Sequence, residues 1–329
     1  MKIHYYFRNK QVGFSIQTVF TTLLNQIRKL NATRETYLLS PFANIIAIIR
    51  NSIYAFKCQR SGEINHITGD VHYLLYVLDR MRTIVTVHDI MYYSYLHGIK
   101  KYIWKFLYIN SLKRATHVIF ISEHSKREVL DIIDLPKDKV SIIPDPVSPN
   151  FYYSEKEFNS DCPLILHIGT NKRKNLHNTI RALNGFVCHL RIVGYLNEET
   201  ISLLNECNID YSNVYNLKEQ EIIKEYQKAD IVNFPSLYEG FGMPIIEGQT
   251  TGRVVVTSDM SPMKDVAGNG AFLVNPSSIE SIREAYRQII NDKDLRIRII
   301  ENGKVNAQKY TVETITEQYM KIYKTIKLI

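Results

Sequence analysis

Two glutamates stand eight positions apart in "SLYEGFGMPIIEGQTTG" (236–252): Glu239 and Glu247. A carboxylate can accept hydrogen bonds from sugar or ribose hydroxyls, or serve as acid, base or nucleophile. Gly240, Phe241, Gly242, Met243 and Pro244 lie between them. The preceding "ADIVNFPS" reads as a buried strand, "LYEGFG" as the turn at its carboxyl end, and "MPIIEGQTTG" as a helix. Pro244 falls in the first turn, where its missing N–H costs nothing. Glycines let backbone approach a ligand closely. The first amides of a helix lack partners within it, and phosphate is their usual guest. The N–H groups of Phe241, Gly242 and Met243 are therefore candidates for cradling a diphosphate. Glu239, before the turn, would lie near whatever the far phosphate carries. Glu247 is expected in the first helical turn, able to accept two ribose hydroxyls. Taken singly, Glu247 also reads as an acid complementing the helix dipole, and Glu239 as a solvated loop acid.

A second group lies in "ILHIGTNKRKNLHNTIRAL" (165–183). A strand ends in Gly169, a basic loop follows, and a helix starts near Asn175–Leu176. Arg173 and Lys174 beside that helix start can offset a diphosphate's charge without a metal, or can belong to a solvated basic loop. In "TVHDIMYY" (86–93), His88 and Asp89 sit just past a buried strand. His88 is either a site residue or a core histidine, and Asp89 reads as a helix cap. "FRNKQVGFS" (7–15) follows the first strand with a single glycine, Gly13.

These residues need a scaffold of strands and helices in alternation. Short β-branched runs at 2–7, 36–40, 52–56, 64–67, 83–89, 117–122 and 140–144 alternate with helical patterns at 15–30, 71–80, 100–114 and 123–133. "PDPVSPNFYYSEKEFNSDCP" (144–163) breaks the rhythm as a linker. Strand patterns resume at 163–169, 189–194, 213–217, 230–236, 253–259 and 271–276, and residues 278–329 read as two or three helices. Alternation of this kind predicts parallel α/β architecture in two halves. Ligands in such folds sit beyond the carboxyl ends of the strands.

The pattern E-G-F-G-x-P-x-x-E at 239–247 resembles the E-x7-E motif of retaining GT-B glycosyltransferases, specifically glycosyltransferase family 4. The "GTNKRKN" segment at 169–175 is similar to that family's basic segment between the glycine and the helix, with Thr170 where some members carry an Arg directly after the glycine. The resemblance implies an α/β chain of GT-B architecture, with two Rossmann-like domains facing across a cleft. Residues 1–155 would be the acceptor-binding domain and 156–329 the nucleotide-sugar-binding domain, and the final helix (310–329) could pack back on the first. It further implies that Glu239 contacts donor-sugar hydroxyls, Glu247 holds the ribose, Arg173 and Lys174 bind donor phosphates, and His88 lies close to the donor sugar. Gly13 stands where many members have a two-glycine turn near the phosphates. "IFISEHSKREVLD" (119–131), with Ser122 as a helix cap, and "SIIPDPVSPNF" (141–151) resemble the family's "VSxxSK" and "IPNGVD" segments. Asp145-Pro146 replace Asn-Gly in the second, a change expected to touch hinge geometry. "IVGY" (192–195) and "NVYNL" (213–217) resemble strand ends whose backbone holds the base. The implied reaction moves a sugar from a nucleotide-diphosphate sugar, such as a UDP- or GDP-sugar, to a saccharide or lipid-linked saccharide, with retained configuration and no metal or other cofactor. A nucleotide-sugar 2-epimerase and a non-catalytic sugar-nucleotide-binding scaffold are the alternatives. An NAD dehydrogenase is disfavoured because no G-x-G-x-x-G follows a strand.

Composition agrees with a soluble globular protein: 45% hydrophobic and 22% charged over 329 residues. The net charge is +8, and its distribution is uneven: residues 1–155 hold 20 Lys/Arg against 12 Asp/Glu, residues 156–329 hold 21 of each. A basic half points to an anionic partner or simply to a soluble basic surface; no nucleic-acid module is apparent. "KKYIWKFLYINSLKRA" (100–115) interleaves Trp104, Phe106 and Tyr108 with Lys100, Lys101, Lys105, Lys113 and Arg114, as interfacial helices do, though a buried amphipathic helix reads the same way. The only DxD, Asp292-Lys293-Asp294, reads as a turn and helix cap. The four cysteines are scattered, as in a cytosolic protein with reduced thiols, and "MKIHYYFRNK" does not read as a signal peptide. The expected location is the cytoplasm, at the inner face of the membrane if the basic half contacts anionic lipid.

Overall fold

The computed structural model describes residues 1–12 and 14–327. The expectation for Gly13 lies outside the described residues. Two compact units divide the chain: Met1–Ser148 with Val312–Ile329, and Pro149–Thr311.

The first unit holds a six-stranded sheet of β1 (Lys2–Phe7), β2 (Ala32–Tyr37), β3 (Ile64–Ile67), β4 (Thr83–Val87), β5 (His117–Phe120) and β6 (Val140–Ile142). Every pairing is parallel, in the order β2-β1-β3-β4-β5-β6. β3 and β4 are buried throughout, as strands covered on both faces must be. The order reverses between β1 and β3, which makes their carboxyl ends a ligand-binding position by topology. One layer of cover comes from helix Phe14–Ile27 and the C-terminal helix Val312–Lys327. Tyr319 and Tyr323 of the latter are fully buried. Their hydroxyls need partners there. Tyr323 Oη lies 2.7 Å from His66 Nδ1 and 2.9 Å from Tyr5 Oη, and His66 Nε2 lies 2.8 Å from Thr86 Oγ1. Burial lowers His66 to about 3, so the ring is neutral in this network.

Residues 52–56, expected as a strand, belong instead to helix Ile45–Cys58. Asn44 caps it, accepting from the Ala47 N–H at 2.9 Å. The face it buries is Ala47, Asn51 and Ala55, while Ile45, Ile46, Ile49, Ile53 and Phe56 are exposed. The residues toward the core are the small ones, so the helical period is hidden. The 100–114 pattern resolves into helix Gly98–Trp104 followed by tighter and wider turns through Arg114. Ser122 caps helix Glu123–Leu130, its Oγ accepting from the Ser125 N–H.

The second unit holds β7 (Leu164–Ile168), β8 (His189–Val193), β9 (Tyr211–Val214), β10 (Ile231–Phe234), β11 (Val254–Ser258) and β12 (Phe272–Val274), ordered β12-β11-β10-β7-β8-β9 and again parallel. This is the doubly wound dinucleotide-binding order, reversing between β7 and β10. The break between units falls at Ser148/Pro149 rather than near 155. Most of the expected linker is a strap on the second unit. Buried Asp230 accepts from Leu164 N–H at 2.8 Å and Asn159 N–H at 3.2 Å and pairs with Lys156, and Phe151 packs edge-on against Tyr226.

Candidate functional site

Topology sets the positions first. Both predicted loops of the second unit leave the switch point: Gly169–Asn175 follows β7, and the 235–242 turn follows β10. A backbone bond from Leu237 N–H to Arg173 C=O, at 2.8 Å, ties them together. Asn175 adopts the left-handed conformation (φ 64°) and donates through Nδ2 to Pro235 C=O at 3.0 Å and Pro276 C=O at 2.7 Å. Asparagine tolerates that conformation better than most residues. Its side chain thus fixes the end of the basic loop against the exit of β10.

On this frame Lys174, Arg173 and Glu239 meet. Lys174 Nζ donates to Glu239 Oε1 at 2.6 Å, and Arg173 Nη1 lies 3.7 Å from Glu239 Oε2. The Lys174 stem packs over Gly169, whose φ is +90° and where an added Cβ would sit 2.8 Å from Lys174 Cγ. Its ammonium lies 4.5 Å above the Phe234 ring. Burial lowers the Lys174 pKa, while the Glu239 carboxylate opposes the shift. Glu239 is only 7% exposed, so it is not the solvated loop acid its type alone allows.

The turn then enters helix Met243–Thr251. Gly242 precedes it with φ 121°, a backbone that side chains rarely adopt, and Pro244 follows in the first turn. Phe241 is buried edge-on against Tyr310. Gly248 sets the helix close to the sheet: a Cβ there would lie 2.9 Å from Val255 Cγ2 and 3.2 Å from Val232 Cβ. The first turn holds no acid. Glu247 sits one turn further in than expected, which removes it from the strongest part of the helix dipole. Its carboxyl accepts a hydrogen bond from the hydroxyl of fully buried Tyr226. Burial raises Glu247 to about 7, against the opposing pull of Tyr226 and Lys174. Tyr226 lies on helix Glu219–Lys228, and no local motif marks it as a partner of Glu247.

At the ends of β8 and β9, Tyr195 and Tyr215 stand exposed with ring centroids 6.1 Å apart. Asp292 caps helix Lys293–Ala307 by accepting from the Leu295 N–H at 2.8 Å, so the DxD is engaged in helix capping. Among the described residues no group of three His, Cys, Asp or Glu side chains is placed to hold a metal ion.

His88 belongs to the first unit, just past β4. Its Nε2 donates to Thr68 C=O at 3.0 Å, and Nδ1 lies 3.7 Å from Asp145 Oδ2. Burial alone would lower its pKa; the Asp145 charge, the Thr68 carbonyl and Asp89 together raise it. Asp145, expected to bear on hinge geometry, is thus a buried neighbour of His88. Asp89 accepts from the Met91 N–H at 3.0 Å ahead of the short helix Met91–Tyr95.

Comparison with known proteins follows the same division. The family model described as "Glycosyl transferases group 1" matches residues 152–306, and "Glycosyltransferase Family 4" matches residues 57–151. The O-antigen chain mannosyltransferase RfbU of Salmonella typhimurium is 27% identical over 216 residues, 62% of this chain and 60% of that protein. The O-antigen chain mannosyltransferase B of Escherichia coli is 24% identical over 287 residues, 78% of this chain and 74% of that protein. The chain thus spans only about three fifths of the first relative and about three quarters of the second. The structure of Anabaena HepE in complex with UDP and glucose superposes with a TM-score of 0.80 at 15% identity, covering 99% of this chain and 100% of that one. Two parallel six-stranded sheets, a glycine-opened helix carrying Glu247 behind the Lys174–Glu239 pair, and two adjoining family matches place this chain among the family 4, group 1 glycosyltransferases of GT-B fold.

Proposed function

We propose that the chain is a retaining, metal-independent hexosyltransferase. It would move a sugar from a nucleotide-diphosphate sugar to a saccharide or lipid-linked saccharide during polysaccharide synthesis. The observation that carries this reading is the Lys174–Glu239 pair, 2.6 Å apart, at the switch point beside the mouth of helix Met243–Thr251. A diphosphate leaving group gathers negative charge as the glycosidic bond breaks. Lys174, Arg173 and the N–H groups of Phe241, Gly242 and Met243 would receive that charge. Gly240 would let the backbone approach the diphosphate, and Gly169 leaves room for the Lys174 stem. Glu239 would hold sugar hydroxyls, and Glu247 the ribose. Retention by a covalent intermediate needs a second carboxylate about 5 Å from the nucleophile. The partners found for Glu239 are cations, so departure of the diphosphate on the face the acceptor attacks is the better fit. The names of the mannosyltransferase relatives and of the HepE complex support a sugar nucleotide as donor. His88, held by Thr68 and Asp145 in the first unit, would be a further site residue.

We further propose a cytoplasmic enzyme working at the inner face of an anionic membrane. Ile99, Tyr102, Ile103 and Phe106 are exposed among Lys100, Lys101 and Lys105, a pattern that suits the interface. No described helix is long and apolar enough to cross a membrane.

Thermal melting with UDP-, GDP- and ADP-sugars tests the donor assignment. A ligand at one hundred times its Kd adds about 2.7 kcal/mol of stability. One base class should raise Tm by several degrees, and absence of any rise across the panel would sink the donor assignment. Transfer should also proceed at an unchanged rate in excess EDTA. A loss of rate that Mg²⁺ restores would overturn metal independence.

A further inference from the structure

The first unit contains a cavity of about 1150 Å³. Its walls follow the carboxyl ends of four strands: Arg8 and Asn9 after β1, Leu38 after β2, Asp70 after β3, Tyr92 after β4. That is the ligand end of an α/β sheet, at the β1/β3 reversal. The lining chemistry is unlike a sugar site. Ile45, Ile46, Ile103, Trp104, Leu107 and Tyr108 dominate, with Trp104 and Tyr108 stacked at 4.8 Å. The polar side chains present are largely engaged already: Asn9 Nδ2 donates to Leu38 and Leu39 carbonyls, Asn44 caps its helix, and Arg8 pairs with Asp70 at 3.0 Å.

Around the groove the apolar surface continues outward. Ile46 is 72% exposed, and Ile49, Ile53 and Phe56 extend the same helix face. Exposed apolar patches of this size mark binding surfaces. The bordering segments 45–58 and 98–114 carry seven Lys/Arg (Arg50, Lys57, Lys100, Lys101, Lys105, Lys113, Arg114) and no Asp or Glu. Among the described residues Lys100, on the lining itself, has no ion-pair partner. A hydrocarbon-walled trough with a cationic border matches a molecule with a long apolar chain and an anionic head.

We propose that this groove holds the isoprenoid chain of a prenyl-diphosphate-linked acceptor, with the diphosphate at Lys100. This rests on the glycosyltransferase reading and assigns its acceptor class. Trp104 is the only tryptophan in the chain, so its emission reports on the groove without a label. Geranylgeranyl diphosphate, below its micelle concentration, should change that emission saturably. Inorganic pyrophosphate should not, and geranylgeraniol should bind at least tenfold more weakly than the diphosphate. Ile46→Glu, at an exposed position, should weaken the diphosphate probe tenfold or more while leaving the Tm rise with sugar nucleotides intact. Lys100→Glu should weaken the diphosphate but not the alcohol. Wild-type titration by Ile46→Glu, an equal response to pyrophosphate, or binding of geranylgeraniol as tight as that of the diphosphate would each overturn the groove assignment. A wild-type protein that binds the prenyl probe yet melts unchanged with every sugar nucleotide would instead sink the donor reading and leave the groove standing.

Discussion

Lys174→Met should lower sugar transfer by about two to three orders of magnitude, with a smaller change in donor KM. The substitution keeps the aliphatic stem that packs over Gly169 and Phe234 and removes only the charge. Losing one preorganised donor to a developing anion typically costs 10²- to 10³-fold in turnover, or roughly 3–4 kcal/mol of barrier. On the proposed site a ground-state diphosphate would keep Arg173 and the helix mouth, so affinity should suffer less. Removing one partner of a largely buried pair also destabilises the fold, because Glu239 is left enclosed with only the more distant Arg173 to offset its charge. These effects are separable. Adding Glu239→Gln to Lys174→Met removes the stranded charge and should recover much of the lost Tm. Turnover should stay at the level of the single variant or below. Recovery of turnover along with Tm would mean the pair is structural, and the assignment of the site would be wrong.

The local structure around Glu239 and Glu247 was legible because several levels of sequence signal coincide there. A buried strand, a glycine turn, a proline-opened helix and two acids at fixed spacing leave few local structures open. The basic loop was legible for the same reason, since Gly169, Arg173 and Lys174 follow a strand and precede a helix. What stayed hidden depends on tertiary proximity. Tyr226 reaches Glu247 from a different helix, Asp145 reaches His88 from the far end of its unit, and the side-chain amide of Asn175 gains its two carbonyl partners only once β10 and β12 are in place.

The misread strand at 52–56 has a sharper physical reason. "SIYAF" has strand composition, and the helix containing it buries Ala and Asn while turning Ile and Phe outward. Apolar periodicity finds a core face; here the apolar residues line a groove and a surface instead. Local rules fail at that helix because its sequence answers to something other than the protein's own core.

Glu247→Gln should make the protein more stable above neutral pH and worse at binding nucleotide. Burial holds the Glu247 pKa at about 7 in the folded chain, above its ordinary value of 4.5. The raised value means that its contribution to stability is fully present below pH 4.5 and fades as pH rises through 7. At pH 8 the folded protein encloses a charge that the unfolded chain would leave in water. Glutamine never acquires that charge, and its carbonyl can still accept from the Tyr226 hydroxyl. The two proteins should therefore melt together near pH 4.5. By pH 8 the variant should melt higher, by an amount on the order of 1–3 kcal/mol after allowance for partial solvent access. That corresponds to several degrees in a unit of this size. Nucleotide affinity should move the other way. Ribose hydroxyls donate best to an ionised carboxylate, and hydrogen bonds to charged groups are worth about 1.5–3 kcal/mol. Wild-type affinity should climb as pH passes through 7, whereas the variant should bind roughly tenfold to a hundredfold more weakly at pH 8 with a flat profile. Paired calorimetric titrations and melts from pH 5 to 8 read both trends. Equal affinity at pH 8 would remove Glu247 from the nucleotide site. A Tm difference that ignores pH would remove the buried charge as its cause. Opposite trends would mean that the site keeps a destabilising acid in place because the ligand requires it.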